Sequence, residues 1–331
     1  MKHSILLVSA ALAALLIQSC AETTEFGPND ANKKFLDSWI EINHPEARKD
    51  GLGLFILNET QGSGRAIGNA EEYPYAYVTY TKKDLDGNIL ETTDAITAQQ
   101  VGTYSKGNYY GPTTLLRKQG VISAGLEEML SGMNIGGSRT AVIPGWFDTK
   151  EKRFNSENDY LKNVTGTDYI YSLTLHDSYK DMAGMQIDSI ENYIRKNLKA
   201  SPDSVMYGYY YIQTKAPVDT ATIDPTSTVY VNYTGRLLDD HVFDTTDDRT
   251  AKDAGVYTSS RTYEPYGVEL KEDYTEMSTV RGFSYCVSKM KKGEKGICIF
   301  FSDLGYGSSG QSTIPAFSPL RFDIEMLGTE K

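Results

Sequence analysis

Aromatic rings, a tyrosine hydroxyl and a carboxylate recur through the last third of this chain, Tyr233, Phe243, Asp244, Phe283, Tyr306 and Phe322 among them. The aromatic members can line a dry cavity. A tyrosine hydroxyl can donate to a carbonyl, and a carboxylate can orient a dipole. No nucleophile paired with a base is needed for what such a set can do, which is to bind, desolvate and orient. Metal chemistry is not readable. His44, His176 and His241 lie far apart and lack ligand spacing. Asp84, Asp86 and Asn88 look superficially like a calcium loop, but Ile89 stands where the sharp turn needs glycine.

These residues sit in seven landmarks that follow one another: Tyr233-Thr234-Gly235, Phe243-Asp244, Val280-Arg281-Gly282-Phe283, Met290-Lys291-Lys292-Gly293-Glu294-Lys295, Leu304-Gly305-Tyr306-Gly307, Ile314-Pro315 and a closing alternating strand. In that order they resemble the FKBP-type peptidyl-prolyl cis/trans isomerases over roughly the last third of the chain. The resemblance implies a pocket walled by Tyr233, Phe243, Phe283 and Phe322 and completed by Val280 and Ile314. Tyr306 and the Val280 backbone N–H would donate to substrate carbonyls, Asp244 would face the amide as an orienting carboxylate, and Tyr266 would match a rim aromatic. Phe283 stands where the family's pocket floor is usually tryptophan. Proline-containing polypeptides and macrolide inhibitors are the implied ligands, with no cofactor, no metal and no nucleic acid.

The elements that must carry these residues occur twice, at a period of about 155 residues. Phe35, Leu36, Trp39, Ile40 and Ile42 form a helical apolar stripe, and Ile187, Ile190, Tyr193, Ile194 and Leu198 form its counterpart. GLGLFIL at 51–57 and VMYGYYYI at 205–212 read as matching strands, and Asp86-Gly87 marks a hairpin between alternating runs. The predicted fold is α+β: two FKBP-like domains, each an antiparallel curved sheet with a short helix across it, each preceded by an extra amphipathic helix. The expected division is a signal segment at 1–20, an acidic tether at 21–33, a degenerate domain at 34–180 and an isomerase domain at 181–331. Leu90-Glu91 and Leu126 replace Phe243-Asp244 and Phe283 in the first copy, although Tyr80 and Tyr171 keep wall positions. The 245–279 span reads as an insert, longer than in compact relatives.

A net charge of −11 and a pI near 5.0 exclude nucleic acid as the main partner. The apolar run from Ile5 to Ile17 is too short for an ordinary membrane span, and Ile17-Gln18-Ser19-Cys20 resembles a bacterial lipoprotein signal. Cys20 is therefore the expected lipidation site. The expected location is a lipid anchor in the Gram-negative cell envelope, on the periplasmic or surface face of the outer membrane. Cys286 and Cys298 fall in apolar periodic segments that suit buried thiols, while export would permit a disulfide. Three functions remain open at this level: an isomerase acting on exported proteins, a non-catalytic chaperone or peptide-binding lipoprotein, and a structural or docking subunit.

Overall fold

Strict alternation makes the C-terminal strand a one-sided ribbon: Leu320, Phe322, Ile324 and Met326 are buried, and the residues between them face outward. A computed structural model describes residues 27–162 and 165–330. Its first half runs α1 (Asp30–Asn43), β1 (Arg48–Lys49), β2 (Phe55–Thr60), β3 (Tyr75–Lys83), β4 (Ile89–Thr92), α2 (Ala95–Gln100), β5 (Thr113–Leu116), α3 (Ala124–Leu130), β6 (Ser138–Ile143), α4 (Glu157–Leu161) and β7 (Tyr169–Tyr179). The second half runs α5 (Met182–Tyr193), β8 (Ser204–Met206), β9 (Tyr209–Lys215), β10 (Thr228–Arg236), β11 (Val242–Thr245), α6 (Asp248–Ala254), β12 (Tyr266–Glu269), α7 (Arg281–Lys289), β13 (Lys295–Phe300) and β14 (Leu320–Gly328).

The two halves share one topology. The first sheet is ordered β1-β2-β6-β7-β3-β4 with β5 on β3; the second is ordered β8-β9-β13-β14-β10-β11 with β12 on β10. Every named pair is antiparallel. Helix α7 lays Phe283, Cys286 and Val287 on the second sheet, and Gly282 lets it approach closely, since a Cβ there would fall 2.4 Å from the Phe300 ring. The α+β arrangement with an added helix ahead of each sheet is thus present.

Several local readings need correction. The first helix buries Leu36 and Ile40 with Trp39 half-buried, but Phe35 and Ile42 point to solvent at 56% and 78% exposure. That helix also takes in Asp30 to Lys33, expected as tether, because Gly27 N–H and the Asp30 carboxylate close its first turn at 2.7 Å. Strand β2 begins at Phe55 rather than Gly51. The Asp50 carboxylate accepts from the N–H groups of Leu52, Gly53 and Leu54 at 2.8–2.9 Å and holds them in a turn. Gly208, at φ 69°, splits the expected single strand into β8 and β9. In α5 the buried stripe includes Gln186. Its carbonyl accepts from the Ser302 N–H at 2.7 Å and its amide donates to the Ser302 hydroxyl at 2.9 Å. A polar residue there ties the added helix to the segment leading into Tyr306. Cys286 and Cys298 are buried free thiols. Cys20 and the signal segment lie outside the described residues.

Glu294 shows how the turn before β13 is fixed. Its buried carboxylate accepts from Tyr211 Oη (2.6 Å), Gln213 Nε2 (2.8 Å) and Lys291 N–H (2.9 Å). Burial opposes its ionisation, but these hydrogen bonds outweigh burial and hold the carboxyl below its ordinary value. A depressed folded value gives stability that is complete above the unfolded value and lost as pH falls through the folded one. Glu294→Gln should therefore lower stability by about 1–3 kcal/mol at pH 7. Denaturant midpoints should show the gap closing below pH ~4.3; a gap independent of pH would contradict this account.

Candidate functional site

Antiparallel pairing brings most of the aromatic set together. In the β10–β14 register Gly235 faces Phe322 and Tyr233 faces Ile324. Phe322 is the hub: its ring lies 5.0 Å from Phe283, 5.5 Å from Phe243 and 6.0 Å from Tyr233, centroid to centroid. Tyr233 meets Phe283 edge-on at 5.4 Å, and Tyr266 from β12 meets Tyr233 at 6.0 Å while remaining 39% exposed, a rim position. Such edge-to-face contacts each add about 0.5–1.5 kcal/mol beyond burial. Val280, Tyr306 and Ile314 pack on the same core, and Val280 is the N-cap residue of α7. All eight residues of the expected set, with Tyr266, therefore converge.

Glycine at 235 is a steric requirement. A Cβ there would lie 2.5 Å from the Phe243 ring and 3.0 Å from Phe322. The ring of Phe243 occupies the space a side chain would take.

The polar part of the cup is a short network. Tyr233 Oη donates to Asp244 Oδ2 at 2.5 Å, and the Thr245 N–H donates to Asp244 Oδ1 at 2.8 Å. Arg261 forms an ion pair with Asp244 and reaches Tyr233 Oη at 3.4 Å. Both ion-pair side chains are more than a third exposed or close to it, so the pair orients the carboxylate more than it stabilises the fold. Burial, then the Asp244 charge, raises the Tyr233 hydroxyl above its ordinary value, with Arg261 opposing. Burial likewise raises Tyr306, with Asp244 adding to it. Both tyrosines therefore stay protonated donors through neutral pH, and no protein group among the described residues accepts from Tyr306. Arg261 was missed in the sequence because it lies in the apparent insert, away from every landmark.

That insert is not peculiar to the second copy. Asp94 caps α2 by accepting from Thr97 N–H, and Asp247 caps α6 by accepting from Thr250 N–H, each at 2.7 Å. Tyr104 stacks on Tyr110 and Tyr257 on Tyr263, both with centroids 5.2 Å apart. The 245–279 span is thus an element of the repeated plan. In the first copy, Tyr80 still donates to the Glu91 carboxylate and lies 6.4 Å from Tyr171. Leu90 is 53% exposed, however, and Leu126 replaces the aromatic floor.

A groove of about 710 Å3 lies elsewhere, on the outer face of the second sheet beneath the insert, lined by Asn232, Thr234, Asp247, Glu264, Lys295 and Glu325 among others. It is wide open, and its walls mix these polar groups with Tyr233, Tyr263, Ile297 and Ile324. Among the described residues no cluster of His, Cys, Asp or Glu could hold a metal.

Residues 219–327 match the profile of the FKBP-type peptidyl-prolyl cis-trans isomerases. FK506-binding protein 1A of Aspergillus fumigatus is 32% identical over 101 residues, covering 30% of this chain and 75% of that protein. A probable FKBP-type peptidyl-prolyl cis-trans isomerase of Haemophilus influenzae is 30% identical over 133 residues, covering 40% of this chain and 45% of that protein. The crystal structure of FkpA from Escherichia coli is 26% identical with a TM-score of 0.33, covering 44% of this chain and 59% of that one. The chain belongs to the FKBP-type peptidyl-prolyl cis-trans isomerase family.

Gly235→Ala should overpack the cup, destabilising the protein by about 1–3 kcal/mol and shifting the near-ultraviolet aromatic signal. Wild-type stability and spectrum in that variant would mean Phe243 can leave its seat freely.

Proposed function

We propose that the second copy catalyses prolyl isomerisation by desolvation and orientation alone, acting on exported proteins from a lipid anchor at Cys20. The observation that supports this reading is the cluster of Tyr233, Phe243, Phe283 and Phe322 rings with the Tyr233–Asp244–Arg261 network beside it. The barrier of ~18–20 kcal/mol comes from amide resonance, which stabilises the planar, polar ground state. Water stabilises that state more than the twisted, less polar amide, so transfer into an apolar cup favours the twisted form. Phe322, Phe283 and Tyr233 would hold the proline ring. Tyr306 and the Val280 N–H would fix the flanking carbonyls, and Asp244, held by Arg261 and Tyr233, would present its field to the rotating amide. Tyr266 would guide the chain at the rim. Macrolides of the kind named for the Aspergillus relative would fit the same cup.

The first copy, with Leu90, Glu91 and Leu126, keeps the scaffold without this equipment. The proposed division between the copies falls at Asp181. A peptide-holding, non-catalytic role is the second reading, favoured by the smaller Phe283 floor. A prolyl-peptide isomerisation assay on the chain from Ala21 onward separates the two: catalysis supports the first, and binding without rate enhancement supports the second.

Tyr306→Phe should lower kcat/KM by the worth of one hydrogen bond, roughly twofold to tenfold. Phe243→Ala should cost more, because it opens the wall to water, and Asp244→Leu should reduce activity without abolishing it. The rate should stay level from pH 6 to 9, since Tyr306 titrates above its ordinary value. A loss of many orders of magnitude, or a steep pH profile in that window, would point to proton-transfer chemistry and overturn the mechanism.

Cys20→Ser should release the protein from membranes, as each buried acyl CH2 contributes ~0.8 kcal/mol of anchoring. Retention of that variant in the membrane fraction would show another anchor.

A further inference from the structure

The loop that carries Tyr306 leans on the other copy. Ser308, Ala316 and Phe317 form one wall of a cavity of about 380 Å3, and Tyr80, Leu126 and Tyr171 of the first copy's worn cup stand in its other walls. The Phe317 ring meets Tyr75 of β3 edge-on, centroids 5.3 Å apart. Phe317 has φ 59°, a left-handed conformation that a bulky side chain adopts only when its surroundings impose it. Its N–H donates at 2.8 Å to the carbonyl of Gly307, the residue after Tyr306. One hydrogen bond thus links Phe317 to the residue that follows Tyr306.

A second contact fixes how closely the copies approach. The tips of the two inserts meet backbone to backbone: a Cβ on Gly107 would lie 2.6 Å from the Gly255 carbonyl oxygen, and one on Gly255 would lie 2.8 Å from Lys106 Cβ. Beside them Tyr109 packs on the second copy's core and faces His241 edge-on at 6.2 Å. The loop's own ties do not replace these contacts. Gln311 and Ile314 exchange hydrogen bonds at 2.8–2.9 Å and close the tip, whereas the returning limb through Phe317 lies between Tyr75 of the first copy and a cavity it shares with Leu237 and Leu238 of its own.

We infer that the first copy is a positioning unit: its worn cup, with Tyr75, seats the 315–317 limb and so holds Tyr306 and Ile314 in the shape the second cup needs. Replacing Phe and Asp by Leu90 and Glu91 removes catalytic equipment but leaves an apolar seat. Tyr75 and Phe317 are positioning residues, since neither lines the second cup. The inference rests on the second cup being the catalytic one, and its test keeps the two apart.

The test is a double-mutant cycle on the full chain from Ala21, with Tyr75→Ala, Phe317→Gly (which keeps the left-handed backbone) and both together. Amide exchange across 307–317 and the kcat and KM for a prolyl peptide are the readouts. Exchange should accelerate in each single variant, and kcat/KM should fall roughly twofold to tenfold, the size of one aromatic pair, chiefly in kcat. The double variant should be little worse than either single one, and Tyr75→Phe, which keeps the ring edge, should restore activity. Unchanged exchange in both single variants would overturn the seat. Accelerated exchange with unchanged activity would overturn positioning. Accelerated exchange in the variants, with a wild-type chain that shows no isomerisation, would keep the seat and refute the catalytic reading instead. Should Tyr75→Ala fail to fold, Gly107→Val, which forces the insert tips apart, carries the same expectations.

Discussion

The register between β10 and β14 is the constraint on which the second copy depends. Because strand side chains alternate, a slip of one residue would send Phe322 and Ile324 to solvent and bring Asp323 and Glu325 inside. Three features lock the register as found. Gly235 opposite Phe322 leaves room for Phe243, the inner row of Val229, Val231 and Tyr233 meets the inner row of β14, and Thr234 bonds Thr245 at 2.9 Å to align β11. Once that register is set, Asp244 falls within reach of Tyr233 without any further fold-level choice.

The first copy repeats the same lock with different contents. Tyr80 pairs with Leu173 as Tyr233 pairs with Ile324, and Thr81 bonds Thr92 at 2.8 Å. Tyr80 N–H donates to Thr93 Oγ1 and Tyr233 N–H to Thr246 Oγ1, both at 2.9 Å. What differs is the rings, the carboxylate, and the segment between the last two strands, where the first copy has α4 and the second has the loop that carries Tyr306. A chemistry that depends on a dry surface and a few donors can therefore be lost by apolar-for-aromatic exchange at little cost in folding, since the core volume is roughly kept.

Most of the cup was legible because each member sits in a landmark that resembles the family's pattern: Tyr233 in Tyr-Thr-Gly, Phe283 in Val-Arg-Gly-Phe and Phe322 in the closing alternating strand. The double architecture was legible from periodicity alone. Residues that act through tertiary approach were not. Gln186 lies among apolar neighbours in sequence, and nothing local announces that Ser302 will need its amide. Arg261 has no periodic context, and the apparent insert concealed that the same β-strand–helix–strand path occurs in both copies with stacked tyrosines. The strand starts at Phe55 and Tyr209 were misplaced because one carboxylate turn at Asp50 and one left-handed glycine at 208 override a continuous apolar run.

Catalysis by environment places its demands on position rather than on reactive groups. A hydroxyl such as that of Tyr306 contributes only if it is held where the carbonyl will be, yet it projects from a segment with glycines at 305, 307 and 310 and left-handed residues at Ser312 and Phe317. A loop of that composition has much conformational freedom to lose. Gln186 anchors its beginning through Ser302, and the Gln311–Ile314 pair closes its tip. The returning limb is tied to its own copy by the Phe317–Gly307 hydrogen bond, and its Phe317 ring is the part that meets Tyr75. On the proposed reading, a tandem arrangement gives a reason for keeping a first copy without the second's rings: its apolar face would order the segment that carries Tyr306 and Phe317.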